Sequence, residues 1–166
     1  MRIVVAGIGY VGLSNAILLA QNHDVTAYDI DSIKVGLVNS HQSPIIDDKI
    51  SEYLNSKKLC LHATQDKNIA FRNVELVIIA TPTNYDEKSN YFDTTSIEVV
   101  LNDVIEYNTE AVVVIRSTVP VGYTKRVQEK FKNLKILFCP EFLREGRALY
   151  DNLYPSRIVV GGDYMA

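Results

Sequence analysis

Short, β-branched apolar runs alternate with stretches of helical spacing along nearly the whole chain, and that alternation leaves few folds open. The runs are Ile3–Ala6, Val25–Tyr28, Leu59–His62, Leu76–Ala80, Val112–Ile115, Ile136–Phe138 and Ile158–Val160. Unbroken apolar runs of this length suit strands buried on both faces, as in a parallel sheet. Between them, Leu13–Ala20 is apolar on most sides, while Ser32–Asn39, Asp47–Leu54, Ser96–Tyr107 and Val121–Phe131 combine helical spacing with polar faces. Asp31 or Ser32 and Thr94 or Thr95 are in position to cap two of these helices. Strand–helix alternation with right-handed crossovers predicts an α/β fold with a doubly wound, mostly parallel sheet. At 166 residues, the whole chain is read as one domain.

The first turn narrows the class. Gly7-Ile8-Gly9-Tyr10-Val11-Gly12 follows the first apolar run and opens the first helix. A G-x-G-x-x-G pattern alone is weak evidence, but between a strand and a helix it marks a Rossmann-type dinucleotide-binding turn. Gly7 permits the tight turn, Gly9 lets the backbone approach a pyrophosphate, and Gly12 lets the helix pack on the strand. The helix N-terminus, with Tyr10 and Val11, then offers free N–H groups and a positive dipole end to phosphate. Asp29 closes the second run, where a carboxylate accepts both ribose hydroxyls and repels a 2′-phosphate. No arginine follows closely, and Lys34 lies one helical turn further on. The cofactor expected is NAD.

Charge and composition exclude several other functions. Seventeen basic against twenty acidic residues give a net charge of −3, which does not suggest a nucleic-acid surface. Lys125, Arg126, Lys130, Lys132 and Lys135 alternate with apolar residues and read as the solvated side of a helix. No apolar run approaches the ~20 residues of a membrane span, and Gly7 and Gly9 interrupt the N-terminal run before it reaches export length. Two separated cysteines without an export signal predict a reduced, cytoplasmic setting. His23, His41 and His62 are too scattered for a ligand set, so no metal is expected.

The informative loops all follow predicted strands, on the edge where open α/β sheets bind ligands. Thr81–Asp93 is the longest irregular stretch, Ser117–Gly122 follows the fifth run, and Cys139–Gly146 follows the sixth. Glu141 and Glu145 stand one helical turn apart and would point the same way if that segment were helical.

These loops carry a family likeness. Gly7–Leu13 (GIGYVGL), Ala80–Thr83 (ATPT), Ser117–Gly122 (STVPVG) and Pro140–Gly146 (PEFLREG) resemble the UDP-glucose/GDP-mannose dehydrogenase family. So do Ala148, Asp151, Asn152, Pro155 and Arg157 within ALYDNLYPSRIVVGG, and the likeness runs from Met1 to about Gly162. The DNLYPSR stretch favours the UDP-glucose branch over the GDP-mannose and N-acetylmannosamine branches. The resemblance implies oxidation of UDP-glucose to UDP-glucuronate by two successive hydride transfers to NAD. The aldehyde is held as a cysteine thiohemiacetal, oxidised to a thioester and hydrolysed, which splits one hard oxidation into easier steps.

By the same resemblance, Thr83 contacts the cofactor, and Thr118 touches it while helping to hold the catalytic water. Glu141 is the base for thioester hydrolysis, and Glu145 sits by the nicotinamide. Glu141, Phe142, Leu143, Arg144 and Glu145 line the sugar-nucleotide site. The family's nucleophilic cysteine, its lysine, asparagine and aspartate, its dimer-forming helix and its UDP-binding C-terminal domain lie beyond the matched segment. Residues 1–166 are therefore expected to be the NAD-binding half of an enzyme that is a homodimer when intact. That half is expected to be inactive alone. Cys139 is not expected to be the nucleophile, and Cys60 is read as core. Two alternatives stand beside this reading, a related dehydrogenase acting on another nucleotide sugar and a non-catalytic NAD-binding module.

Overall fold

The computed structural model describes residues 1–86, 91–108 and 110–162. Strands β1 (Arg2–Ala6), β2 (Asp24–Tyr28), β3 (Leu61–Thr64) and β4 (Leu76–Ile79) are interleaved with α1 (Tyr10–Ala20), α2 (Ser32–Asn39), α3 (Asp48–Ser56) and α4 (Lys67–Phe71). A hairpin of β5 (Asn84–Asp86) and β6 (Tyr91–Asp93) follows, then α5 (Thr95–Tyr107) and β7 (Val112–Ile115). The described chain continues through α6 (Tyr123–Lys130), β8 (Lys135–Phe138) and α7 (Ala148–Leu153). Six strands form one parallel sheet in the order β3-β2-β1-β4-β7-β8.

Side chains alternate across this sheet, and both faces are buried. Val4, Val77, Ile79, Val113 and Ile115 pack with Phe71, Ile97, Leu101, Val104 and Val127 from α4, α5 and α6. Ile3, Val5, Val25 and Ile78 pack on the opposite face with Leu13, Ile17, Val38, Ile50, Leu54 and Leu149. Each fully buried aliphatic side chain contributes ~1.5–3 kcal/mol of transfer free energy, so both helical layers are held chiefly by burial. Strand order reverses between β1 and β4, which opens a crevice beyond their carboxyl ends.

Aspartates start several helices by accepting from otherwise unpaired N–H groups. Asp31 accepts from Ile33 N at 2.9 Å, and Asp66 accepts from Asn68 N at 2.8 Å. Asp47 is buried and accepts from Ile50 N at 3.1 Å and from Leu149 N at 3.4 Å, so it fixes α3 and α7 together. At α5 the sequence points to a threonine cap. The carboxylate of Asp93 instead accepts from Thr95 N at 3.0 Å, and Thr94 makes no side-chain cap bond.

Three further expectations differ from what is found. Ile158–Val160 is not a strand. Among the described residues, the returning chain pairs with β8 through an isolated antiparallel bridge between Phe138 and Gly161, and Ile158 and Val160 are 73% and 61% exposed. A β-branched run without a neighbour to pair with does not make a strand. Cys60 is exposed rather than core, because β3 begins one residue later and forms the sheet edge. Residues 84–86 and 91–93 of the long loop pair as the hairpin, while 87–90 lie outside the described residues.

Asp47→Ala should cost ~1–3 kcal/mol, since the cap of α3 and the bond to α7 go together. Asp47→Asn, which keeps an acceptor, should cost clearly less. Urea unfolding of both variants checks this, and equal losses would show that only the charge matters.

Candidate functional site

The turn after β1 is packed so tightly that only glycine fits at two positions. Gly7 has φ +101°, and a Cβ there would lie 2.5 Å from the carbonyl oxygen of Ala80. A Cβ on Gly12 would lie 1.8 Å from the carbonyl oxygen of Gly7. Gly9, by contrast, faces open space, and a Cβ at that position would meet nothing within 4 Å. It also stands at the start of α1, which has no side-chain cap. Among the described residues no side chain caps the first N–H groups of that helix, which line the crevice as an anion site requires.

Asp29 lies just past β2, with its side chain only 10% exposed. Its carboxylate accepts from Ile8 N at 2.6 Å and from Asp31 N at 3.0 Å, and Lys34 Nζ stands 4.0 Å away. The acid therefore ties the glycine turn to the start of α2. Gly7, Gly9, Tyr10, Val11, Asp29 and Lys34 line one side of a cleft of about 310 Å³. A more apolar hollow adjoins it, walled by Ile30, Pro82, Val99 and Val100, and it shares Gly7, Asp29 and Lys34. Its shape and polarity suit a flat heterocycle beside a ribose.

The opposite wall of the cleft is built from the other rim loops. Thr83 and Thr118 both line it, and Thr83 Oγ1 donates to Thr118 O at 2.8 Å. Ser117 Oγ donates to Thr81 O at 2.7 Å, and Ser96 Oγ donates to Pro82 O at 2.8 Å. The loops after β4 and β7 are thus stitched to each other and to α5. Glu141 and Glu145 complete this wall together with Arg116.

The two glutamates reach the cleft without the helix the sequence suggests, for residues 141–144 have no regular structure. In a helix Arg144 N would bond to the carbonyl of residue 140. Here it donates to the carboxylate of Asp151 at 2.9 Å. The Arg144 guanidinium grips the same carboxylate through Nε at 3.0 Å and Nη2 at 2.7 Å. These hydrogen bonds hold the Asp151 carboxyl down at about 2 and push Arg144 up. Phe142, Leu143 and Arg144 consequently face a second cleft of about 410 Å³ with Tyr150, Asp151 and Arg157. Arg157 stacks its guanidinium 4.2 Å from the centre of the Phe142 ring. Arg116 lines both clefts and joins them.

The structure therefore brings Gly7, Gly9, Tyr10, Val11, Asp29, Lys34, Thr83, Thr118, Glu141 and Glu145 to one cleft. It assigns Gly12 to packing, and it turns Phe142, Leu143 and Arg144 to the neighbouring cleft. The supporting roles of several residues emerge only from the structure. Ser117 and Asp151 sit inside distinctive motifs that could flag them, whereas Ser96 and Arg116 carry no local signal. Asn152 Nδ2 donates to Ser14 Oγ at 2.8 Å, and Ser14 Oγ donates to Tyr10 O at 2.6 Å, so α7 also braces the start of α1. Among the described residues, no group of three His, Cys, Asp or Glu could hold a metal, and no helix is long and apolar enough to cross a membrane.

A carboxyl held below its ordinary value stabilises the fold only while ionised. The Asp151–Arg144 pair should contribute fully above about pH 4 and fade as pH falls towards about 2. Urea midpoints of the parent and Asp151→Asn should therefore differ at neutral pH and converge over that acid window. A constant difference across it would show that the ion pair is not its source.

Known proteins share this geometry. Residues 1–165 match the family model described as UDP-glucose/GDP-mannose dehydrogenase family, NAD binding domain. The chain is 55% identical over 163 residues to a UDP-glucose 6-dehydrogenase of Streptococcus pneumoniae, covering 98% of this chain and 41% of that protein. It is 52% identical to the UDP-glucose 6-dehydrogenase of Campylobacter jejuni, covering 97% of this chain and 42% of that one. The solved structure of a GDP-mannose dehydrogenase from Pseudomonas aeruginosa superimposes with a TM-score of 0.85 at 29% identity, covering 97% of this chain and 41% of that one. The chain thus spans about two-fifths of the length of these relatives. With the glycine turn, the buried acid after β2 and the rim motifs all in place, the chain belongs to the UDP-glucose/GDP-mannose dehydrogenase family and is an NAD-binding domain of it.

Proposed function

We propose that this domain supplies the cofactor half of an enzyme that oxidises UDP-glucose to UDP-glucuronate with two molecules of NAD. The observation that carries the reading is the convergence of the phosphate turn, Asp29, both rim threonines, Glu141 and Glu145 on one cleft. The cleft fits the cofactor on its own geometry. The start of α1 is uncapped, the space above Gly9 is open, and an apolar hollow adjoins Asp29. NAD, when bound, accepts a hydride from the sugar carbon.

The chain's own residues then divide the work. The N–H groups at the start of α1 bind the pyrophosphate, and Asp29 takes the adenosine ribose hydroxyls and disfavours a 2′-phosphate. Thr83 and Thr118 bind towards the nicotinamide end, and Thr118 also orients a water. Glu141 withdraws a proton from that water during thioester hydrolysis, acting as a general base. Glu145 stands beside the nicotinamide, and the Glu141–Glu145 segment lies along the sugar nucleotide, with Phe142, Leu143 and Arg144 on its second-cleft side. The nucleophilic cysteine, the uridine site and the dimer-forming helix belong to sequence outside these 166 residues. We read the intact enzyme as a homodimer of the reducing cytoplasm, and both cysteines in this domain are free thiols.

A second reading, a dehydrogenase of another nucleotide sugar, is favoured by the likeness to the GDP-mannose dehydrogenase structure. The higher identity to the two UDP-glucose enzymes supports the first. A purely non-catalytic NAD module would leave the two glutamates in the cleft without a purpose.

Two measurements test this. Calorimetry of the 166-residue chain should detect NAD binding, weakened by ~1–3 kcal/mol in Asp29→Ala through loss of a charge-assisted ribose contact and of the tether to Ile8. Unchanged affinity in that variant would reduce Asp29 to a brace for the turn. With UDP-glucose and NAD in excess, the same chain should give no detectable NADH. Lost substrate positioning alone forfeits ~7–11 kcal/mol of rate advantage. Steady NADH production would overturn the division of labour and bring Cys139 back into consideration.

A further inference from the structure

Charge is distributed unevenly along the cofactor cleft. At the end beside α2, Asp29 is matched by Lys34 at 4.0 Å. At the far end Glu141 and Glu145 line the wall with Thr118, and neither carboxylate forms an ion pair among the described residues. Arg116 is the opposing charge on that wall. Its Nη1 donates to the Sγ of Cys139 at 3.4 Å, a weak acceptor, and its Nε is buried without a partner. Two carboxylates against one guanidinium leave the far end net negative.

The oxidised nicotinamide ring is a cation and the reduced ring is neutral, while the rest of the cofactor is the same in both forms. Attraction or repulsion acting on the pyrophosphate therefore cancels when the two affinities are compared. A fixed charge beside the ring does not cancel. We propose that Glu141 and Glu145 make this cleft selective for the oxidised cofactor, so that reduction of the ring weakens its hold and favours its release. The inference rests on the reading that the nicotinamide lies at the Thr118–Glu145 end. It assigns to the glutamates a role separate from proton transfer, which needs only Glu141. A carboxylate beside the ring, in the screening expected for a half-exposed cleft, favours the cation on the order of 3- to 10-fold.

Calorimetric titration of the 166-residue chain with NAD and with NADH tests the proposal through the ratio of the two dissociation constants. The parent should bind NAD more tightly than NADH. Glu145→Gln and Glu141→Gln should each lower that preference ~3-fold or more, and the double variant ~10-fold or more. Arg116→Gln should raise it. Raising ionic strength from ~0.02 M to ~0.5 M should shrink the parent's preference, an outcome that requires no variant to fold. A ratio unchanged within ~2-fold in both single variants, or insensitive to salt in the parent, overturns the proposal while leaving the cofactor reading intact. Failure of the parent to bind either form overturns the cofactor reading and this proposal with it.

Discussion

The contact between Gly12 and the carbonyl of Gly7 governs how this domain is put together. No side chain fits between α1 and the turn after β1, where a methyl group would sit 1.8 Å from an oxygen. Gly7 in turn meets the carbonyl of Ala80 at the end of β4. The first helix, the first strand and the strand across the switch point thus converge on a space that only backbone fills. That proximity aims the uncapped end of α1 into the crevice and places Ile8 N against Asp29. The open, uncapped helix end, which is what an anion site requires, follows from this packing more than from any one polar side chain.

Around that contact the rim loops are held by side-chain hydrogen bonds, each worth ~0.5–1.5 kcal/mol. Thr83 and Ser117 join the loops after β4 and β7, Ser96 ties the first of these to α5, and α7 reaches back to α1 through Asn152 and Ser14. The Arg144–Asp151 fork is exposed on the arginine side, so its contribution to stability is modest. Its geometric effect is larger. By taking the N–H of Arg144 out of a helical pattern, it sends Glu141 and Glu145 to the cleft beside the glycine turn and residues 142–144 to the neighbouring one.

The sheet, its helices and the phosphate turn are legible in the sequence because they rest on period and on glycine geometry, both local properties. Ser32–Asn39 and Val112–Ile115 match their elements to the residue, and Asp31 caps its helix as expected. The departures share a cause. Whether Ile158–Val160 becomes a strand depends on a neighbour, and whether residues 141–145 become a helix depends on a carboxylate at position 151. Local propensity contains neither. Short α4 and α7 escape notice because so few residues show little periodicity. The glutamates are visible through motif resemblance, and Arg116, which joins the two clefts, is visible only in three dimensions.

The cofactor cleft is tested most directly by an amide chemical-shift map of the isotopically labelled chain during titration with NAD. Perturbations should concentrate at Gly7–Gly12, Asp29, Thr83, Thr118 and the Glu141–Glu145 segment, with Gly9 and Tyr10 among the largest. Perturbations centred on the second cleft or on the β3 edge, with the glycine turn unmoved, would contradict that assignment.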